Sequence, residues 1–378
     1  MNYIVREHSL LTGKKNLEHL YTLKNFPVFM GCVDTPAEQD LRADMIWDIC
    51  RDTGLIQLKK LIPLEKLYLN QHNDGVGQVW QDHYRAFAEF LHQNKPGKNI
   101  LEIGGAHDII AEQYFRLDSD VRWISVEPNP EYIKNPKIQV IQDWFDENFF
   151  SAEPVDTVIH SHVLEHTYNP LKFIEHIAKF LQPGQKHIFT FPNLEAMLRN
   201  NFTNCLNFEH TVFLTEPIVE FILEKYGFKI LAKQYYGNPH SIFYATNRVA
   251  TPENIARLEN KYAEYKQIFN NFVNYHLGIV ADLNKKIEKS SEPVYLFGAH
   301  IFSQYLIGFG LRTDKIIRIL DNSLIKKDKR LYGTSLIVDS PKILAGLGKV
   351  NVILKAGIYN EEIKKDILEN INNQVVFW

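Results

Sequence analysis

The sequence predicts an α/β protein, and three observations predict it. A short apolar run, Asn99-Ile100-Leu101-Glu102-Ile103, breaks into Gly104-Gly105-Ala106 and then into helix-compatible sequence from His107 to Phe115. Further strand-like runs follow, interleaved with helical patterns at residues 169–181 and 216–226. A second, smaller alternation of strand and helix occupies residues 294–378. Strand, tight turn and helix in that order form the unit that holds a ligand at the carboxyl end of a parallel strand. The small residues let the backbone approach that ligand closely, and Glu102 adds a charge at the strand tip. A plain β–α turn has the same appearance, and the full GxGxxG pattern is not present, so the following residues decide the reading.

Composition narrows the class. A chain of 378 residues has ample length for a buried core and suits roughly two to three domains. Hydrophobic residues make up 45% and charged residues 23%, as in ordinary soluble globular proteins. A formal net charge of -3 carries no electrostatic footprint for nucleic acid. Cys32, Cys50 and Cys205 are far apart and odd in number, so a reducing cytoplasm is expected rather than a disulfide framework. No apolar run is long enough to span a membrane, and Met-Asn-Tyr-Ile-Val-Arg-Glu-His lacks the pattern of a signal peptide.

Residues 1–70 read as a small N-terminal region with turns at Thr12-Gly13 and Thr53-Gly54 and a short strand around Phe26–Gly31. Cys50 before a glycine turn resembles half of a zinc knuckle, but Thr53 stands where the second cysteine belongs, so a buried thiol is the other reading. Tyr68, Gln71, His72, Asn73 and Asp74 lie in a polar loop before a helix at about residues 80–93; the loop is either a connector or a substrate-facing flap.

The regular part begins at Asn99. A second strand, residues 121–126, ends at Glu127-Pro128, about twenty residues past the glycine turn. A carboxylate there can accept from both hydroxyls of a ribose. A third strand at 137–141 leads to Asp143-Trp144, an acid and an aromatic that suit an adenine amine and face. Strands at 155–160 and 186–191 flank the helix stopped by Pro183-Gly184, and two closing strands, 228–234 and 241–246, are expected to pair antiparallel. Apolar residues at three-four spacing predict one long helix over 251–289. In the C-terminal unit, Gly298 before a helix suits either a phosphate or a structural turn.

Leu101-Glu-Ile-Gly-Gly-Ala106, Glu127, Asp143-Trp144 and Val163-Leu-Glu-His-Thr-Tyr-Asn-Pro170 together resemble class I S-adenosylmethionine-dependent methyltransferases. The resemblance implies a Rossmann-like sheet. It also implies a site for S-adenosylmethionine, with S-adenosylhomocysteine as product, at Glu102, Gly104, Gly105, Ala106, Glu127, Pro128, Asp143, Trp144 and His162. Residues 294–345 and the N-terminal PVFMG and CRDTGLIQL segments resemble the three-domain nucleotide-sugar C-methyltransferases, and Asn207-Phe208-Glu209-His210-Thr211 resembles their Glu-His motif. The implied organisation is a zinc-domain-like region at 1–70, a methyltransferase domain at 71–250, a connecting helix at 251–290 and a Rossmann-like α/β domain at 291–378. Two departures matter. With Cys50 alone, and His8 where the first cysteine pair would lie, no structural zinc is expected. Asn207 stands where a tyrosine is common, and Gln71-His72-Asn73 replaces a Tyr-x-Tyr element.

Relatives of this type methylate a carbon beside a ketone on a dNDP-linked deoxysugar. The expected function is methyl transfer to a sugar nucleotide, with His210 as general base, Glu209 orienting substrate or His210, and His240 as the second candidate. A carbon acceptor also needs a donor for its enolate oxygen, for which His72, Tyr68, Asn193 and Asn207 are candidates. The alternatives are O- or N-methylation of a glycan or sugar nucleotide, and a non-catalytic protein that keeps the cofactor fold.

Overall fold

The computed structural model describes residues 3–67, 78–105, 108–130, 135–237, 239–250 and 257–378. The expected α/β sheet has seven strands. Read from one edge, these are Phe228–Tyr236, Ser241–Arg248, Lys186–Pro192, Thr157–Ser161, Asn99–Ile103, Arg122–Val126 and Ile138–Ile141. Neighbours from Lys186–Pro192 to Ile138–Ile141 run parallel. Ser241–Arg248 is antiparallel to both of its neighbours. The strand order reverses beside Asn99–Ile103, which opens a crevice at the carboxyl ends of the strands, where α/β sheets hold their ligands. The parallel strands are almost continuously buried, as expected for a sheet covered on both faces. Gln78–Gln93 packs Phe87 and Phe90 against Trp123 and Phe243 on one face. Pro170–Phe180 covers the other face; Asn169 caps it by accepting from the Lys172 amide, and Pro170 takes the first helical position.

The N-terminal region is more ordered than its sequence suggests. The expected short strand near Phe26 is the end of an eleven-residue strand, Leu17–Pro27, paired antiparallel with Arg42–Cys50. Ile56–Leu58 continues this sheet, and its outer partner is Val212–Phe213 from the methyltransferase-like region. That long-range pairing is invisible to local periodicity. Cys50 is fully buried, its thiol 3.5 Å from Asn16 Oδ1, and Thr53 Oγ1 accepts from the Leu55 amide.

The long helix spans Tyr262–Lys289 rather than 251–289; residues 257–261 precede it without helical structure, and 251–256 lie outside the described residues. It packs on both neighbours. Phe269 meets Trp47 of the N-terminal sheet, while His276 stacks on Phe309 of the C-terminal unit at 5.2 Å between ring centroids. One continuous apolar core joins Trp47, Phe191, Phe272 and Leu296, and thus all three regions. Each such fully buried side chain is worth roughly 1.5–3 kcal/mol of transfer free energy, so the regions are coupled. The C-terminal unit is a five-stranded parallel sheet ordered Val338–Asp339, Ile316–Leu320, Val294–Phe297, Val350–Leu354, Val375–Phe377. Cys32–Val33 adds an antiparallel pairing with Arg330–Leu331, tying the N-terminal region to it. Among the described residues no helix is long and apolar enough to cross a membrane.

Candidate functional site

A cavity of about 720 Å3 lies at the carboxyl ends of the central sheet and is walled by all three regions. Gly104, Glu127, Pro128, Trp144 and His162 line it on the side of the glycine turn. Glu209 and His210 line it on another side, and His300, Phe302 and Tyr359 come from the C-terminal unit.

The turn is built for a close backbone. Gly104 has φ +76°, which only glycine adopts without strain, and a Cβ there would lie 2.7 Å from Val163 Cγ2. A Cβ on Gly105 would lie 2.5 Å from Ser125 Oγ and 2.9 Å from Glu102 Cδ. Glu102 itself sits behind the wall, 3% exposed, and accepts from Trp123 Nε1 at 2.8 Å. Burial raises its carboxyl to about 8. It props the turn from beneath rather than facing the cavity. Glu127 does face it, and one of its oxygens accepts from the Asn129 amide at 2.9 Å, which fixes the carboxylate at the strand tip. Trp144 lines the cavity and is 48% exposed, so its indole offers a stacking face. Asp143 is exposed, accepts from the Trp144 amide at 2.8 Å and is not part of the wall. Ala106, Tyr68 and His72 lie outside the described residues.

Glu209 and His210 are held from several directions. Asn207 Oδ1 accepts from both of their amides, at 2.8 and 2.7 Å. The asparagine that departs from the family pattern thus shapes the turn with its carbonyl. The buried Arg6 guanidinium donates to the Thr211 carbonyl at 2.8 Å, to Thr211 Oγ1 at 3.1 Å and to the Tyr168 carbonyl. Thr211 O also accepts from the Leu58 amide. The N-terminal region therefore pins the Glu-His segment, and Arg6 carries no local sequence signal for that role. Asn193, a candidate oxyanion donor, instead caps Leu194–Arg199 by accepting from the Ala196 amide and does not line the cavity.

The site histidines are set by backbone, carboxyl and hydroxyl neighbours. His210 Nδ1 lies 3.3 Å from the Cys205 carbonyl, which can only accept. Nδ1 therefore carries the hydrogen and Nε2 keeps a lone pair. The expected pairing of Glu209 with its neighbour His210 is not the one formed. Glu209 Oε2 is 3.5 Å from His166 Nδ1, and the His166 and His210 rings meet edge to face at 4.9 Å. Glu165, 1% exposed, has an oxygen 3.1 Å from His162 Nδ1 and 4.0 Å from His166 Nε2. Burial lowers His162 to about 3 and His166, His210 and His240 to about 4, and raises Glu165 and Glu209 to about 7. Burial thus favours the neutral form of these imidazoles. Glu165 and His166, inside the recognisable VLEH block, carry side chains of this chemistry yet were not assigned roles from sequence.

Two groups, His83-His162-His240 and Glu165-His166-His210, each bring three ligand-type atoms within 4.8 Å of one another. In the first group both nitrogens of His162 already have partners, Ser241 Oγ and Glu165.

Residues 77–233 match the family model described as a methyltransferase domain. No curated protein matches the chain. Among solved structures, an O-methyltransferase family protein from Burkholderia thailandensis is similar at 13% identity and a TM-score of 0.37, over 46% of this chain and 57% of that one. The B. thailandensis 1,6-didemethyltoxoflavin-N1-methyltransferase, with S-adenosylhomocysteine bound, gives 14%, 0.36, 46% and 81%. N-methyltransferase NodS from Bradyrhizobium japonicum WM9, in complex with the same product, gives 15%, 0.36, 46% and 89%.

Proposed function

We propose that this chain, an S-adenosylmethionine-dependent methyltransferase, methylates a carbon beside the ketone of a nucleotide-linked deoxysugar. The observation that carries the reading is that Glu127 and Gly104 share one cavity with Glu209 and His210. Glu127 would hold the ribose and Trp144 the adenine, which places the sulfonium methyl toward the remaining volume. Methyl transfer from a sulfonium is an in-line displacement in which the methyl is already activated. The protein supplies position and a base. His210 is that base: its Nε2 lone pair is set by the Cys205 carbonyl, and burial keeps the ring neutral. Glu209 positions His166 beside it. His300, Phe302 and Tyr359 give the acceptor side a wall from the C-terminal unit, the region whose sequence resembles that of the sugar C-methyltransferases.

The test is turnover on dTDP-linked 4-keto-6-deoxysugars carrying deuterium on the ring carbons. Carbon methylation releases one deuteron per methyl transferred. Methylation with every deuteron retained would overturn the carbon assignment in favour of an oxygen or nitrogen acceptor. Replacing the base, His210→Ala, is expected to slow turnover about 100-fold or more while leaving cofactor affinity unchanged by calorimetry. Full turnover in that variant would remove His210 as the base.

A further inference from the structure

Ser241 lies at the start of the antiparallel strand Ser241–Arg248, far in sequence from the VLEH block, and is 1% exposed. Its hydroxyl sits between two histidines, 2.9 Å from His162 Nε2 and 2.6 Å from His240 Nδ1. The other nitrogen of His162 is 3.1 Å from Glu165 Oε1. Both Glu165 oxygens are buried, and this approach is a close contact rather than a formed hydrogen bond. His240 lines the cavity, and its remaining nitrogen is Nε2. The side chains thus form a row, Glu165, His162, Ser241, His240, in which Glu165, His162 and His240 border the cavity and Ser241 bridges the two histidines.

We propose that this row is a proton relay whose cavity end, His240 Nε2, hydrogen-bonds and protonates the ketone oxygen of the acceptor while His210 takes the proton from carbon. The proposal rests on the carbon-methylation reading above. A hydroxyl has one hydrogen, and a neutral imidazole has one donor and one acceptor, so two orderings carry a hydrogen along the whole row. With Glu165 protonated, its hydroxyl donates to His162 Nδ1, His162 Nε2–H donates to Ser241 Oγ, and Ser241 O–H donates to His240 Nδ1. His240 then presents Nε2–H to the cavity. With Glu165 ionised, every hydrogen bond reverses and His240 Nε2 presents a lone pair.

The step balances. His210 Nε2 removes the ring C–H proton, the C–H electron pair becomes the new C=C bond, and the carbonyl π pair moves onto the ketone oxygen. That oxygen takes the hydrogen from His240, His240 takes one from Ser241, Ser241 from His162, and His162 from Glu165. When the enol carbon attacks the sulfonium methyl, the S–CH3 bond breaks onto sulfur, the ketone reforms, and the same hydrogens run back to Glu165. The His210 proton leaves to solvent. No imidazolium is formed along the relay itself, which suits two imidazoles that burial keeps neutral and a carboxyl that burial makes easier to protonate. Among the described residues other groups also face the row, including the Tyr236 ring, 5.5 Å from that of His240 between centroids. His166 Nε2 is 4.0 Å from Glu165, and the rings of Trp80 and His83 sit about His162 and His240 at centroid distances of 4.9 to 5.1 Å.

Two measurements test this. The first is washout of ring deuterium from dTDP-4-keto-6-deoxyglucose, with S-adenosylhomocysteine bound and no methyl donor. Wild type is expected to exchange, His210→Ala to lose exchange, and Ser241→Ala to exchange at least tenfold more slowly with KM for the sugar within threefold. Exchange in Ser241→Ala within twofold of wild type would overturn the relay. The second needs no sugar and no variant: 15N spectra of histidine-labelled wild type at pH 6. His162 and His240 are both expected as the Nε2–H tautomer, and Nδ1–H at either would overturn the relay. If wild type exchanges nothing, the keto-sugar reading fails, and the nitrogen spectra still decide the relay.

Discussion

Two turns in this molecule are made alike and end differently. Gly104 follows Asn99–Ile103, and Gly298 follows Val294–Phe297; both have left-handed backbones, at φ +76° and +103°. In each case the next parallel strand is followed at once by an acid, Glu127 or Asp321. Glu127 lines the cavity, tied at one oxygen to the Asn129 amide two residues on. Asp321 is spent within its own turn. Its Oδ2 accepts from the Ala299 amide at 2.9 Å and from Lys326 Nζ at 3.0 Å, and its Oδ1 accepts from the Ser323 amide. The Ala299 amide, which a phosphate would need, is already satisfied, so Gly298 serves as a structural turn. What it adds to the site is His300, on the shared wall. The lesson is that strand, glycine and acid spell a binding turn only when the acid is left facing the cavity.

The sharpest way to break this comparison is to remove both acids in turn. Glu127→Ala would delete the acceptor we propose for the ribose hydroxyls and is expected to weaken S-adenosylmethionine binding roughly 100-fold by calorimetry. An unchanged affinity would mean that the acid on the cavity wall is not the one that matters. Asp321→Ala is expected to leave that affinity alone while costing about 1–3 kcal/mol in urea denaturation, since it orphans an amide and a lysine. A loss of cofactor binding here would show that the second turn is also a site.

The smallest effect lies beneath the first turn. Glu102 stands two residues before Gly104, and its counterpart before Gly298 is the buried Leu296. Burial raises Glu102 from its ordinary 4.5 to about 8. A raised carboxyl contributes stability that is complete below the lower value and is lost as pH rises through the higher one. Wild type should therefore lose thermal stability across that window, and Glu102→Gln, which keeps an acceptor for Trp123 Nε1, should flatten the slope. Equal slopes in the two proteins would show that Glu102 does not titrate in the fold.

The sequence by itself determined the elements of the central sheet and the glycine turn, because alternation, helical spacing and positive φ are properties of a few adjacent residues. It also marked Glu127, Trp144, His162, Glu209 and His210, all of which line the cavity. Local spacing did not indicate where side chains point. Glu102 and Asp143 read as wall residues and turn away, Asn207 read as a donor and shapes a turn, and Glu209 pairs with His166 instead of His210. Only the tertiary structure decided these. It brought Arg6 across to Thr211, paired Val212–Phe213 with Ile56–Leu58, and set Ser241 between two histidines, through contacts whose partners lie tens to hundreds of residues apart. Such contacts are selected by packing and hydrogen-bond satisfaction in the folded core, which no short stretch of sequence encodes alone.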